Sequence, residues 1–538
     1  MNRLHYGDNL DVLRASVRDE SVDLVYLDPP FNSNAGYNIL FAPPKELRTA
    51  ADAEHAQIRA FEDTWHWNDS AEEAFDLVAR SGNNRAFDLL NAMRSFLGEN
   101  DMMAYLAMMA VRLIELHRVL KPTGSLYLHC DPTASHYLKL LLDGAFGPRF
   151  YRNEIIWKRT SAHGDAAAGF GDVTDTILYF AKGERPTWNR QFVPLSQAHV
   201  AAKYTGRDSD GRRFTTRDLR SPSPRPNLTY AYKGYQPHPN GWSISKEKMA
   251  GFDRAGLLHF PSNADGRIRL KIYLDERKGL SLQNLWDDIP PINSRAQERL
   301  GYPTQKPVAL LERIIAASSN EGDVVLDPFC GCGTAIHAAQ KLGRRWIGID
   351  VTHLAISLIE KRLKDAFPGI AFDVLGTPKD LASALDLARR DKYQFQWWAV
   401  SLVDAQPFGG RKKGADGGID GLIYFKPDGR KTEKAIVSVK GGDNVGVQMI
   451  RELHSTMARE KAPIGIFITK ALPTAAMERE AAAVGRFEDG FGRTFPRLQI
   501  LTLAELFQGR KPDIPLVDPS LAFRRAGRER GAEQRSLL

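Results

Sequence analysis

Cysteine is close to absent from this chain: three residues in 538, at Cys130, Cys330 and Cys332. That excludes a disulfide framework and a four-cysteine zinc site. No run of about 18 apolar residues occurs, so no membrane-spanning helix is expected. The opening residues, Met1 to Asp8, lack the apolar core of a secretory signal, and a cytoplasmic protein is expected. The small-residue loop near residue 330 has neither the dinucleotide spacing G-x-G-x-x-G nor a P-loop lysine. What remains is globular in composition, with 43% hydrophobic and 26% charged residues and a length suited to two or three domains. A net charge of +8 suits a polyanionic partner.

The chain is organised around Val25-Tyr-Leu-Asp-Pro-Pro-Phe-Asn32. Residues 21–27 are mostly apolar and β-prone, as in a strand buried within a parallel sheet. Pro29 and Pro30 then remove two N–H donors and fix φ, which stops strand and helix alike. A stiff turn at the carboxyl end of a strand lies where open α/β sheets bind ligands. It displays the Asp28 carboxylate, free carbonyls and the Phe31 ring: acceptors for an exocyclic amino group, and a platform for a flat ring.

Around this turn, residues 1–13 read as strand, Gly7-Asp8-Asn9 turn and helix. Asp8 serves equally as a helix cap or as a ligand acceptor. Residues 32–98, with Trp65-His66-Trp67-Asn68, read as polar and irregular, a lid or a DNA-facing loop. A helix is expected over 101–120, a strand over 125–131, a helix over 135–143 and strands over 153–158 and 175–180. Cys130 lacks a preceding proline and reads as a core or site-lining thiol. Further on, a helix at 308–319, a strand at 323–327, the loop Pro328-Phe-Cys-Gly-Cys-Gly-Thr334, a helix at 335–342 and a strand at 345–350 ending in Asp350 follow βαβ logic for an adenosine-bearing ligand. Alternating strands and helices predict a doubly wound α/β sheet.

Asp28-Pro-Pro-Phe31 and Asp327-Pro-Phe-Cys-Gly-Cys-Gly333 together resemble the motifs of amino-group DNA methyltransferases, in the order of their β group. The resemblance covers residues 1–376. It implies a Rossmann-like fold that binds S-adenosylmethionine, with catalytic residues Asp28, Pro29, Pro30 and Phe31. Cofactor contacts are then implied for Asp8, Asp327, Pro328, Phe329, Gly331, Gly333, Thr334 and Asp350. The catalytic half spans 1–185 and the cofactor half 301–376. Double-stranded DNA is the implied partner, a flipped base the implied substrate, and a homodimer is compatible. The Asp-Pro-Pro-Phe form looks like the adenine-directed branch, while the 4-amino group of cytosine stays open as an alternative acceptor. Methyl transfer itself calls for no metal.

Between the halves, residues 186–300 lose periodicity and interleave arginine and lysine with aromatics and proline. Cations beside planar rings on loops suit phosphates and bases. Its place between two halves of the fold marks it as the target-recognition segment, with Arg212, Arg213, Arg217, Lys233 and Tyr235 as DNA contacts.

Residues 377–392 read as a helical linker. From 393 to 510, Gly-Ala-Asp416-Gly-Gly-Ile-Asp420 leading to a strand ending Ser438-Val-Lys440 resembles the Mrr-type branch of the PD-(D/E)XK nucleases. That implies a restriction-endonuclease-like α/β domain with Mg²⁺ at Asp420, and Lys440 near the attacking water. Ser438 stands where Glu or Gln is usual, and Gln396 where a helix usually carries Glu. The resemblance therefore implies the fold more firmly than it implies cleavage. Asp416 is a candidate replacement ligand. The tail 511–538, with Arg524, Arg525, Arg528, Arg530 and Arg535, reads as disordered and phosphate-seeking.

Overall fold

A computed structural model of the chain describes residues 2–30, 66–161, 170–263, 266–293, 296, 298–300, 302, 304–408 and 418–515, and for 36–40 and 57–62 the backbone alone. Phe31, Asn32, Trp65, Asp416 and the tail arginines lie outside the described residues.

Nine strands form the main sheet: β1 (Arg3–Tyr6), β2 (Val22–Leu27), β3 (Leu120–Cys130), β4 (Tyr151–Lys158), β5 (Thr174–Ala181), β6 (Leu285–Trp286), β7 (Val324–Asp327), β8 (Arg345–Asp350) and β9 (Asp373–Leu375). Their spatial order is β6-β4-β5-β3-β2-β7-β8-β1-β9. The six strands from β3 to β9 are parallel, and β5 runs against its neighbours β3 and β4. β2 is buried along its whole length, which suits its run of apolar and β-branched residues. At the centre β2 pairs with β7, in the register Leu24↔Val325 and Val25↔Leu326. The turn after β2 and the loop after β7 therefore open side by side at the carboxyl edge. This is the Rossmann-like fold expected, with chain order and spatial order disagreeing where the ligand edge lies.

Helices cover the sheet. α1 (Asn9–Ser16) follows β1; α2 (Asp69–Arg80), α3 (Asn84–Leu97), α4 (Asp101–Val119) and α5 (Pro132–Phe146) lie in the first half. α6 (Val308–Ser318), α7 (Thr334–Lys341) and α8 (His353–Ala366) lie in the second. The expectation of an irregular 66–98 does not hold. Asn68 caps α2 through the backbone N–H groups of Ser70 and Ala71. Ala71, Ala74, Phe75 and Val78 then repeat at helical spacing and are buried. Ala86, Leu90 and Met93 of α3 join the same core as α4, so this stretch is scaffold.

Residues 190–283 make a compact unit of their own. Here too the structure is more regular than the composition suggested. Leu258–His259, Arg269–Tyr273, Arg213–Asp218 and Gly206–Arg207 form a four-stranded antiparallel sheet. It packs on Leu219, Trp242, Met249, Leu258, Ile268 and Leu270.

The C-terminal third begins with α9 (Leu381–Arg390) and α10 (Lys392–Leu402), then β10 (Gly421–Phe425), β11 (Glu433–Lys440), α11 (Val447–Arg459), β12 (Ile464–Thr469) and β13 (Leu498–Thr502). Its sheet adds Gln406–Pro407 at the edge, antiparallel through β11 and parallel from β11 to β13. α10 also reaches back to the main domain. Trp397 packs with Tyr302, Cys332, Leu354 and Leu358, and Gln394 Oε1 accepts from the buried His353 N–H at 3.1 Å. Among the described residues no helix is long and apolar enough to cross a membrane.

Candidate active site

The ends of β2, β7 and β8 enclose a cavity of about 250 Å³, lined by Asp28, Pro29 and Pro30, by Asp327 through Cys332, and by Asp350. Asp28 leaves β2 at the point where the prolines end the strand. Its Oδ2 accepts from Lys306 Nζ at 2.5 Å, with both side chains largely buried. Lys306 stands just ahead of α6, in Thr304-Gln-Lys-Pro307, the stretch that leads into the helix expected from residue 308.

The loop after β7 turns on two glycines. Gly331 and Gly333 have φ of +48° and +74°, a region that L side chains avoid. A Cβ on Gly333 would also stand 2.8 Å from Ile359 Cγ1. Asn9 Nδ2 holds the Pro328 carbonyl at 2.8 Å, tying α1 to the loop. Asp327 Oδ1 accepts from Phe329 N–H. Asp350 Oδ2 accepts from Gly331 N–H at 2.9 Å, and its Oδ1 accepts from the N–H and hydroxyl of Thr352, each at 2.9 Å.

Burial pushes the Asp350 carboxyl up to about 6, against the pull of those donors. Asp327 is raised too, chiefly by burial and further by the nearby Asp28 and Asp350 carboxylates. Asp28, Asp327 and Asp350 thus share one poorly solvated pocket, with Asp8 on the same wall. Lys306 answers one of them. Arg112, nine-tenths buried, donates to Asp8 Oδ2 at 2.7 Å and to Asn9 Oδ1 at 2.5 Å. Asp8 itself caps α1 by accepting from Leu10 N–H at 2.8 Å, so the structure gives it the capping role while leaving it on the cavity wall.

Beneath the turn lies a buried polar chain. Tyr26 Oη is 3.0 Å from His129 Nδ1, His129 Nε2 is 2.9 Å from Asp175 Oδ2, and Arg159 Nε is 2.9 Å from Asp175 Oδ1. Cys130 is buried one residue beyond His129 and donates to the Thr176 carbonyl. Burial pushes its thiol well up, the opposite of what a nucleophilic thiolate needs. Cys330 and Cys332 are buried in the cavity wall, and burial raises them as well.

Over half of this chain, residues 22–361, matches the family model described as DNA methylase, of the N6/N4 type. The chain belongs to the N6/N4 DNA methylase family. A second match, restriction endonuclease of the Mrr type, covers residues 387–488 of this methylase. Type II methyltransferase M.EcaI of Enterobacter cloacae is 29% identical over 364 residues, 67% of this chain and 69% of that protein. The type III restriction-modification enzyme StyLTI Mod subunit of Salmonella typhimurium is 26% identical over 351 residues, 62% of this chain and 49% of that protein. The DNA adenine methyltransferase YhdJ of Escherichia coli K12 is 24% identical over 358 residues, 66% and 81%. Among solved structures, the M1.HpyAVI–SAM complex is 14% identical, covers 68% of this chain and 100% of that one, and has a TM-score of 0.30.

In the methylase's 190–283 unit most of the expected DNA contacts have internal partners. Arg212 donates to Asp275 and Glu276 at 2.8 Å and stacks 3.9 Å from the Tyr273 ring centre. Arg213 donates to the Tyr204 and Val200 carbonyls, tying the chain before the strand to the sheet. Lys233 pairs with Asp253 at 2.5 Å, and Tyr235 Oη donates to the Pro261 carbonyl. Arg217 is exposed and, among the described residues, has no ion partner.

In the restriction-type domain, Asp420 precedes β10 and accepts on both oxygens, from Gln396 Nε2 at 3.0 Å and Val439 N–H at 2.6 Å. Ser438 is buried on β11, and Lys440 is half-buried at its end. Among the described residues no group of three or more His, Cys, Asp or Glu is placed to hold a metal.

Sequence reading missed Lys306, Arg112, Tyr302 and the Tyr26–His129–Asp175 chain. Arg112 did carry a signal: it is a lone cation within the apolar run Met108-Met-Ala-Val-Arg-Leu113. Lys306 had none, because its partner is supplied by the other end of the fold.

Proposed function

We propose that the chain transfers a methyl group to the 6-amino group of adenine in duplex DNA, as part of a restriction-modification system. The observation that carries this is the convergence of Asp28 and Asp327, from adjacent strand ends, on one cavity.

The lining suits S-adenosylmethionine. Asp350 offers acceptors for ribose hydroxyls, and the glycines at 331 and 333 let backbone come close where a side chain would intrude. When bound, this cofactor supplies an electrophilic methyl on sulfur. The protein's share is positioning. Asp28, with Oδ2 held by Lys306, keeps Oδ1 as an acceptor for the amino group of a base swung out of the duplex, an extrusion that costs a few kcal/mol. Accepting that hydrogen bond favours a more tetrahedral nitrogen, whose lone pair then becomes available. The Pro29 carbonyl is a second acceptor for the same group, and Phe31 a stacking face.

Adenine is favoured by the Asp-Pro-Pro-Phe form of the turn and by the name of the relative YhdJ. Purified protein is given S-adenosylmethionine and DNA, and the DNA is then digested to nucleosides for mass spectrometry. N6-methyladenine supports the reading, and N4-methylcytosine replaces it with the cytosine alternative. For the C-terminal third the proposal is a DNA-binding module with little or no cleavage. Ser438 adds no metal-shell carboxylate, and both Asp420 oxygens already accept from protein donors.

A further inference from the structure

Attack by an amino nitrogen on a sulfonium methyl forms a C–N bond and leaves the C–S electron pair on sulfur. The nitrogen is then cationic until it loses a proton. Asp28 is the nearest base by sequence logic, but one of its oxygens is already held by the Lys306 ammonium at 2.5 Å. A second route leads away from the same wall. Tyr26 lines the cavity two residues before Asp28, and its hydroxyl is 3.0 Å from His129 Nδ1. His129 Nε2 meets Asp175 Oδ2 at 2.9 Å, and Asp175 Oδ1 meets Arg159 at 2.9 Å. Tyr26, His129 and Asp175 are 2%, 0% and 5% exposed, whereas the Arg159 side chain is 44% exposed. The chain thus runs from the buried cavity wall to solvent, across β2, β3, β5 and the end of β4.

We infer that Tyr26, His129 and Asp175 form a proton relay that drains the target nitrogen after methyl transfer. The inference rests on the methyltransferase reading above. The nitrogen gives its proton to Tyr26 Oη while Tyr26 gives its own to His129 Nδ1. The resulting imidazolium is held by the Asp175 carboxylate, which Arg159 anchors, and the proton returns through Tyr26 to water once the methylated base has left the cavity. No charge is left in the cavity. The arrangement matches the logic of a hydroxyl, a base and an orienting acid, with the acid fixing which imidazole nitrogen carries hydrogen.

The surroundings agree with these roles. Burial alone would raise Asp175, but the His129 hydrogen bond and the charges of Lys306 and Arg159 hold it below the usual carboxylate range. Burial, with Asp28, Asp327 and Asp175 nearby, raises the Tyr26 hydroxyl well above its ordinary value, so it passes a proton on without resting as phenolate. The groups that meet the imidazole include Tyr26 from β2, Asp175 from β5 and, edge-on, Trp157 from β4.

The test is single-turnover methyl transfer against pH for wild type, Tyr26→Phe and His129→Asn, with cofactor affinity and thermal unfolding measured alongside. Tyr26→Phe keeps the core filled and removes only the hydroxyl. The expected wild-type rate shows an inflection with pH, because the relay takes up and releases a proton. Both variants are expected to lose that inflection and about 100-fold in rate, the scale of general acid–base catalysis, with cofactor affinity within about twofold. A Tyr26→Phe enzyme with wild-type rate and wild-type pH profile overturns the relay even if His129→Asn does not fold. A slower Tyr26→Phe with an unshifted profile also overturns it, since that is what a packing role predicts. Wild type that methylates neither base overturns the functional reading itself, and the relay with it.

Discussion

Lys306 Nζ sits 2.5 Å from Asp28 Oδ2, joining residues 278 apart in the chain. The pair locks the segment ahead of α6 onto the turn that ends β2, so the first and last parts of the main sheet are joined at the cavity as well as through their strands.

Removing that lysine should separate stability from activity. Lys306→Met leaves a largely buried carboxylate without its cation, at a cost of about 3 kcal/mol. A shift of the turn by about 1 Å should lower methyl transfer about 100-fold. Adding Asp28→Asn to Lys306→Met should recover most of the stability and none of the transfer. Urea unfolding and a transfer assay on the three variants check this. Stability and rate both unchanged in Lys306→Met would show that the contact has no role.

Asp350 should make cofactor binding pH-dependent. Its folded carboxyl holds a proton up to about 6, against 3.8 for an ordinary Asp. The unliganded protein therefore loses stability from this group as pH rises through that window, because the unfolded chain releases the proton first. Ribose hydroxyls need the ionised form as acceptor, so affinity should weaken as pH falls through about 6. Titration calorimetry at pH 5 to 8 reads it. Asp350→Asn should bind weakly at every pH, and a slope as steep as wild type's would place the titrating group elsewhere.

Two neighbouring arginines should behave differently. Arg213→Ala loses ties to the Tyr204 and Val200 carbonyls, and should lower the unfolding temperature of the 190–283 unit. Arg217→Ala removes an exposed cation and should leave the fold alone. If Arg217 meets a phosphate, its loss lowers the slope of log affinity against log salt by about 1. An unchanged slope would remove Arg217 from the DNA surface.

Cleavage is a separate question, asked with unmethylated plasmid and Mg²⁺ or Mn²⁺. Wild type should leave the plasmid intact. Cutting by wild type that Asp420→Ala and Lys440→Ala both lose would establish a live nuclease, with the Gln396 contact giving way to metal.

The central strands and the turns that end them were legible because their signals are local: an apolar run, then residues that cannot continue it. Val22–Leu27 into Pro29-Pro30, and Val324–Asp327 into Gly331 and Gly333, needed no partner to be read. α2 escaped notice because its stripe is built largely of alanine, which adds little to a polar background. The sheet of 190–283 escaped because Arg213–Asp218 reads Arg-Phe-Thr-Thr-Arg-Asp, with Phe214 its one apolar residue, and only pairing with Arg269–Tyr273 makes it a strand. The Lys306 contact and the Tyr26–His129–Asp175 chain are properties of the sheet order. Chain order conceals it, because β2 and β7 adjoin in space.

Trp397 bears on how such a fusion is gained or undone. It belongs to the restriction-type domain, yet it packs beside Tyr302 and Cys332, both of which line the cavity at the ends of β2, β7 and β8. A deletion ending near residue 376 would strip Leu354 and Leu358 of their cover and leave an oily scar beside the cavity. The neighbouring residue, Gln396, meanwhile holds Asp420. One turn of helix α10 therefore serves two cores at once, and cutting the chain between them exposes both.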